Sequence, residues 1–140
     1  MRTFVILVAV LGCCLADPCI HNNHADLTEE HVISMVVTDA DHNDDGLITG
    51  IDVAEYFVIN YDHDKNDVVD EAEFVRQWHN SFHDEEAFAQ HIFHHLDTDD
   101  NGKLDLSDVD PLIKRADTSG DGIVQIAEFK AYLEAIYNAC

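Results

Sequence analysis

From Thr28 onward the chain alternates between amphipathic stretches and short acid-rich runs. Before each run, apolar residues recur eight, five, four and one positions ahead of an aspartate. Ahead of Asp41 they are Ile33, Val36, Val37 and Ala40; ahead of Asp62, Ala54, Phe57, Val58 and Tyr61. Ahead of Asp97 they are Ala89, Ile92, Phe93 and Leu96; ahead of Asp117, Val109, Leu112, Ile113 and Ala116. That spacing is one stripe of an α-helix, and no charged side chain interrupts it. A first helix is predicted from Thr28, whose hydroxyl can cap it, with Glu29 and Glu30 in the first turn and Leu27 and Val32 as a staple. Further helices are predicted over Val53–Tyr61, Phe74–Phe82, Glu85–Leu96 and Val109–Ala116, with a break near His83–Asp84. Pro111 should kink or split the last of these, with Asp110 capping a fresh start.

The acid-rich runs share one frame. Asp41–Asp52, Asp62–Glu73, Asp97–Asp108 and Asp117–Glu128 each place side-chain oxygens at the first, third, fifth, ninth and twelfth positions of a twelve-residue window. Each has an aliphatic residue at position eight: Ile48, Val69, Leu104 and Val124. Position nine is followed three residues later by a carboxylate, a capping pair for the next helix: Thr49 with Asp52, Asp70 with Glu73, Asp105 with Asp108, and Gln125, a poorer cap, with Glu128. From roughly Thr28 to Asn138 the chain resembles the EF-hand calcium-binding family, in which such a window wraps one hard cation.

The resemblance implies an all-α fold, a single EF-hand domain with four calcium loops, and a ligand set for each window. In the first window the ligands would be Asp41, Asn43, Asp45, the Leu47 carbonyl, Thr49 and Asp52. In the second they would be Asp62, Asp64, Asn66, the Val68 carbonyl, Asp70 and Glu73. The third offers Asp97, Asp99, Asn101, the Lys103 carbonyl, Asp105 and Asp108, and the fourth Asp117, Ser119, Asp121, the Ile123 carbonyl, Gln125 and Glu128. Windows one and three end in Asp, one methylene shorter than Glu, so they are expected to be the weaker sites, where Mg²⁺ competes with Ca²⁺. The second has Asp67 at position six, where the family carries glycine for a positive φ; Asp tolerates that region at about 1 kcal/mol. Up to four Ca²⁺ ions are implied, and an unfilled window that merely holds the fold is the alternative at each.

The spacing of the windows departs from the family. Their first aspartates stand 21, 35 and 20 residues apart, and only the middle step has room for two helices. Windows one and two must share a helix, and so must windows three and four. A helix of about nine residues separates its ends by about 13 Å, so neighbouring windows cannot easily lie side by side. The expected pairing is therefore window two with three through Val69 and Leu104, and window one with four through Ile48 and Val124.

The full chain has 140 residues, 29 acidic against 7 basic side chains, and a formal net charge of −22. This charge argues against nucleic acid or an anionic membrane as partner. A hydrophobic fraction of 46% argues for a folded domain rather than disorder. Residues 1–16 read as a secretory signal peptide: Arg2, then the apolar run Phe4–Leu11, then Cys14-Leu15-Ala16 for cleavage. A lipoprotein box at Val10–Cys13 is the competing reading. Residues 17–27 form an extended lead-in, and 28–140 the domain. After cleavage Cys19 and Cys140 remain, suited to a bridge between the ends, with an intermolecular bridge or free thiols as alternatives.

Ten histidines are present; His79 with His83, and His91 with His95, are spaced four apart, with His94 between the latter. They read as neutral residues on a solvated helix face, or as a grip for Zn²⁺ or Cu²⁺. Ser34, Ser81, Ser107 and Ser119 carry no nucleophile signature, so no enzyme is expected. The expectation is a secreted, monomeric calcium buffer, store or matrix component, with matrix proteins or a mineral surface as further partners. The alternative is a calcium sensor with a protein partner, although a mature chain whose one methionine is Met35 lacks the methionine-rich groove of such sensors.

Overall fold

The elements follow the hydrophobic stripes closely. The computed structural model describes residues 27–139; the expected signal peptide, most of the expected lead-in, and Cys19 and Cys140 with their expected bridge lie outside the described residues. In chain order the elements are α1 (Glu29–Ala40), β1 (Leu47–Ile48), α2 (Gly50–Val53) running on as a π-helix (Ala54–Ile59), β2 (Val69–Asp70) and α3 (Glu71–Phe82). Then come α4 (Glu86–Leu96), β3 (Lys103–Leu104), α5 (Leu106–Ala116), β4 (Val124–Gln125) and α6 (Ile126–Tyr137). The fold is mainly α, with two minimal antiparallel strand pairs.

Local chemistry sets the helix starts. The Thr28 hydroxyl accepts from the His31 N–H at 3.3 Å and opens α1. Reciprocal side-chain to backbone bonds at Thr49–Asp52, Asp70–Glu73 and Asp105–Asp108 open α2, α3 and α5. These boxes begin α3 and α5 three residues ahead of their predicted starts. His83 ends α3 in the left-handed region, at φ 57°.

The strand pairs cross the molecule. Val69 stands opposite Leu104 in one, and Ile48 opposite Val124 in the other. All four side chains are buried. One continuous helical stretch joins the first window to the second, and α5 joins the third to the fourth, so sequence neighbours are held apart while distant windows meet. Of the sixteen stripe residues, fourteen are buried; Ala54 and Ile113 are half-buried. All of them but Val58 merge with Trp78, Phe74, Phe88, Phe129 and Leu133 into one core, in which Phe74 stacks on Tyr61 and Trp78. At the chain ends, the Asn138 side-chain amide donates to Glu29 at 3.3 Å, so α6 finishes beside the start of α1.

Two stretches of backbone depart from expectation. Pro111 neither ends nor splits α5, which runs unbroken through it. Pro111 is exposed while Val109, Leu112 and Ala116 are buried, so the Ser107 carbonyl that loses its bond is on the watery side and the opposite face holds the helix together. The segment Ala54–Ile59 is wound as a π-helix, closed by the Asn60 N–H to the Glu55 carbonyl at 3.1 Å. A wider turn rotates less per residue, and this brings three successive side chains, Tyr56, Phe57 and Val58, to the core side.

Asp84 is buried outside any window, just past the left-handed turn. One oxygen accepts from the Trp78 indole N–H at 2.9 Å and the Tyr137 hydroxyl at 3.2 Å, and its carbonyl meets His79 Nδ1 at 2.6 Å. Burial and this carboxylate push the Tyr137 phenol well above its ordinary range. Asp84→Ala would take the acceptor from the buried Trp78 indole N–H and one hydrogen-bond partner from Tyr137, and should cost about 2–4 kcal/mol, whereas Asp84→Asn keeps an acceptor oxygen and should cost less. Urea unfolding followed by the fluorescence of Trp78 measures both; equal losses would contradict this role.

Candidate metal centres

Each window is built by its first aspartate. Asp41 accepts from the N–H groups of Asp45 and Gly46 at 3.1 and 3.0 Å, and Asp62 from Asn66 and Asp67 at 3.2 and 2.9 Å. Asp97 accepts from Asn101 and Gly102 at 3.1 and 2.7 Å, and Asp117 from Gly120 and Gly122 at 2.8 and 2.9 Å. Positive φ recurs at the fourth and sixth positions of every window: Asp44 and Gly46, Lys65 and Asp67, Asp100 and Gly102, Gly120 and Gly122. The third and fifth side chains hold the following turn, as in Asn43 to the Asp45 N–H and Asp45 to the Leu47 N–H, both at 2.9 Å. Asp64, Asn66, Asp99 and Asp121 make the same kind of bond to Asn66, Val68, Asn101 and Ile123. Ser119 instead donates to Asp117 at 3.3 Å.

The twelfth residue distinguishes the windows. Glu73 reaches across to the N–H groups of His63 and Asp64, both at 3.2 Å, and Glu128 to Ser119 at 2.8 Å. Asp108, although shorter, also crosses, taking the Thr98 N–H at 2.7 Å and its hydroxyl at 2.9 Å. Asp52 does not cross; its oxygen is held by the Thr49 N–H and hydroxyl at 2.8 and 2.6 Å. The ninth-position residues Thr49, Asp70, Asp105 and Gln125 stand at helix N-caps, and the seventh-position residues Leu47, Val68, Lys103 and Ile123 sit at or just before the strands.

Two windows gather acid closely. Carboxylate oxygens of Asp62, Asp64 and Glu73 lie within 4.8 Å of one another, and so do those of Asp97, Asp99 and Asp108, so two acidic clusters can each hold a metal ion. Windows one and four also carry three carboxylates each (Asp41, Asp45 and Asp52; Asp117, Asp121 and Glu128), but these do not close to such a cluster.

Burial sharpens the point. Six charged residues are buried among the described residues, and five of them are first or twelfth window positions: Asp41, Asp52, Glu73, Asp97 and Asp108. Neither ion pair among the described residues, His94–Glu71 or Lys130–Glu134, involves them. Backbone N–H groups compensate in part, but buried anionic charge is normally met by a cation. Hydrogen bonds lower two window carboxyls: Ser107 holds Asp105 below its ordinary value, and the N–H groups of Gln125 and Ser119 do the same for Glu128.

Sequence reasoning missed two supports of the windows. Arg115 reaches from α5 to the carbonyls of His95 and Thr98, at 3.4 and 3.2 Å, tying α5 to the start of window three. Thr98 and Thr118, in second positions, turn hydroxyls to the closing carboxylates Asp108 and Glu128. Neither contact has a local sequence signal: the first depends on how α5 packs against window three, the second on how the closing carboxylate swings back.

The histidines are more engaged than a solvated face implies. His91 Nε2 lies 2.9 Å from the Ile136 carbonyl, joining α4 to α6, and its ring meets His95 edge-on with centroids 4.5 Å apart. Among the described residues no histidine joins a cluster of three metal-ligating side chains.

Searches against family models, curated proteins and solved structures find no match to this chain.

Two outcomes follow. Burial, then the nearby His91, Arg115 and His94, push the His95 imidazole below its ordinary value of 6.5. The unfolded chain therefore takes up this proton first, so stability should fall as pH drops from about 6.5 through the folded value and then level off. NMR titration of His95, and a flatter acid limb in His95→Gln, check it. Asp67→Gly, which relieves a side chain at φ 65°, should stabilise by about 0.5–1 kcal/mol, while Gly46→Ala, at φ 81° with open space around it, should destabilise through backbone strain.

Proposed function

We propose that this chain is a secreted calcium-ion binding protein with four EF-hand windows, working as an extracellular calcium buffer or store or as a matrix component. The observation that carries this reading is the burial of five window carboxylates with no basic partner among the described residues. Oxygen-only clusters at Asp62–Asp64–Glu73 and Asp97–Asp99–Asp108 favour a hard divalent cation over zinc or copper. The recurring first-position turns and paired position-eight residues give all four windows one framework, which supports extending the reading to windows one and four.

A resident cation would be held by the first, third, fifth, ninth and twelfth side chains and the seventh carbonyl of each window, and in window one Asp52 would have to turn from Thr49 to reach it. It would cancel the mutual repulsion of the carboxylates and lock each incoming helix to its outgoing one. Since the unfolded chain lacks these formed sites, binding energy becomes folding energy. Windows working against millimolar extracellular calcium need dissociation constants of only about 10⁻⁴–10⁻³ M.

Calorimetric titration with Ca²⁺, repeated in Mg²⁺, tests the reading. Free Ca²⁺ at about 100 times the dissociation constant should add about 2.7 kcal/mol per site and raise the melting temperature. A melting temperature that EDTA leaves unchanged would overturn the proposal. Glu73→Gln should remove one site. Asp52→Glu should tighten window one, because the longer side chain can cross as Glu73 does; weaker binding would mean that window is fitted to the shorter acid.

A further inference from the structure

Three large aliphatic side chains lie together on the outside of the molecule: Ile51 at 71% exposure, Ile59 at 64% and Leu106 at 68%. Single exposed aliphatics are ordinary, but a contiguous group lining grooves marks an interaction surface. These three come from α2, the π-helix and the first residue of α5, the two helical stretches that each join a pair of windows. A groove of about 510 Å³ runs between Ile51, Ala54, Ile59 and Leu106, and a second of about 660 Å³ continues past Ile59 and Leu106. The floor is set by a close approach of the helices, where a Cβ on Gly50 would come within 3.2 Å of Val109. The π winding leaves Ile59 outside while Val58 turns in.

The rim identifies the occupant. Glu55 and Asp110 border the first groove, and Asp62 and Asp67 the second, against one base, Lys65. Even with Asp62 neutralised by a bound cation, three carboxylates face one ammonium. A second copy of a chain carrying −22 would set like-charged rims against each other.

We propose that this face docks a cationic segment of another protein whose spaced aliphatic side chains fill the two grooves. Aliphatics on the partner cover Ile51, Ile59 and Leu106, and its lysines or arginines meet Glu55, Asp110 and Asp67. The aliphatic patch and its rim of Glu55 and Asp110 lie outside the ligand positions of the windows, while the second groove borders window two at Asp62, Lys65 and Asp67.

The test uses the full chain in calcium buffer and three fluorescent peptides: a helical leucine–lysine peptide with leucines on one face, its leucine–glutamate counterpart, and a lysine–serine peptide of equal charge. The leucine–lysine peptide should bind most tightly by anisotropy. Ile51→Ser/Ile59→Ser/Leu106→Ser, which leaves the charge unchanged, should weaken that binding at least about tenfold without altering lysine–serine binding. Glu55→Lys/Asp110→Lys should weaken it by a similar factor while leaving the melting temperature near that of the parent. No binding of the leucine–lysine peptide, equal binding of the leucine–glutamate peptide, or undiminished binding by the serine variant would each overturn the proposal. So would light scattering that shows self-association through the patch.

Discussion

One helix that must both leave one window and enter the next governs the architecture. With about 20 residues between first aspartates on either side of the midpoint, adjacent windows sit at opposite ends of a short rod. Position-eight residues need a strand partner to bury themselves and satisfy their backbone groups, and the nearest window in sequence cannot supply it. Ile48 therefore finds Val124 and Val69 finds Leu104, each across the chain midpoint. From that follow a single core rather than two lobes, α1 lying by α6, and Tyr137 at the end of the chain completing the bond set of Asp84 near its middle.

What the sequence makes legible is whatever depends on a few neighbouring residues. The apolar stripes appear almost whole in the core, because a helix that enters a polar loop has one face to hide and no other place to hide it. Thr28, Thr49, Asp70 and Asp105 cap where their neighbours permit. The spacing argument reached the strand pairs because rod length is arithmetic. Features set by competition between distant contacts stayed hidden. Pro111 reads as a helix breaker, yet its burden falls on the exposed side while Val109, Leu112 and Ala116 hold the other. The π winding after Val53 answers a demand from the core for Tyr56, Phe57 and Val58 together, which no local preference encodes. Asp84 looks like one more surface acid until Trp78 and Tyr137 close over it.

The same limit applies to the candidate sites. Ligand positions follow from the frame, but the reach of each closing carboxylate does not follow from its length alone. Asp108 crosses its window with help from Thr98, while Asp52 is captured by Thr49 before it can. A hydroxyl at the second or ninth position thus decides which way an aspartate swings. In each case one threonine holds the carboxylate through its N–H and its hydroxyl together, and this separates two windows whose closing residues are chemically identical.

The bond from Asn138 to Glu29 has a consequence for how the chain could be threaded. Because first and last helices finish side by side, a short linker could join the ends of the folded domain, with a new opening placed at the exposed, left-handed His83. Such a circular permutant would keep every strand pair and every shared helix, yet the outer pair, Ile48 with Val124, would become its nearest-neighbour contact. The native order closes that pair only after most of the chain has been traversed, a non-local contact of the kind that slows folding. In the permuted order the inner pair would take that place, and the two pairs would exchange roles in assembly while the folded molecule stayed the same.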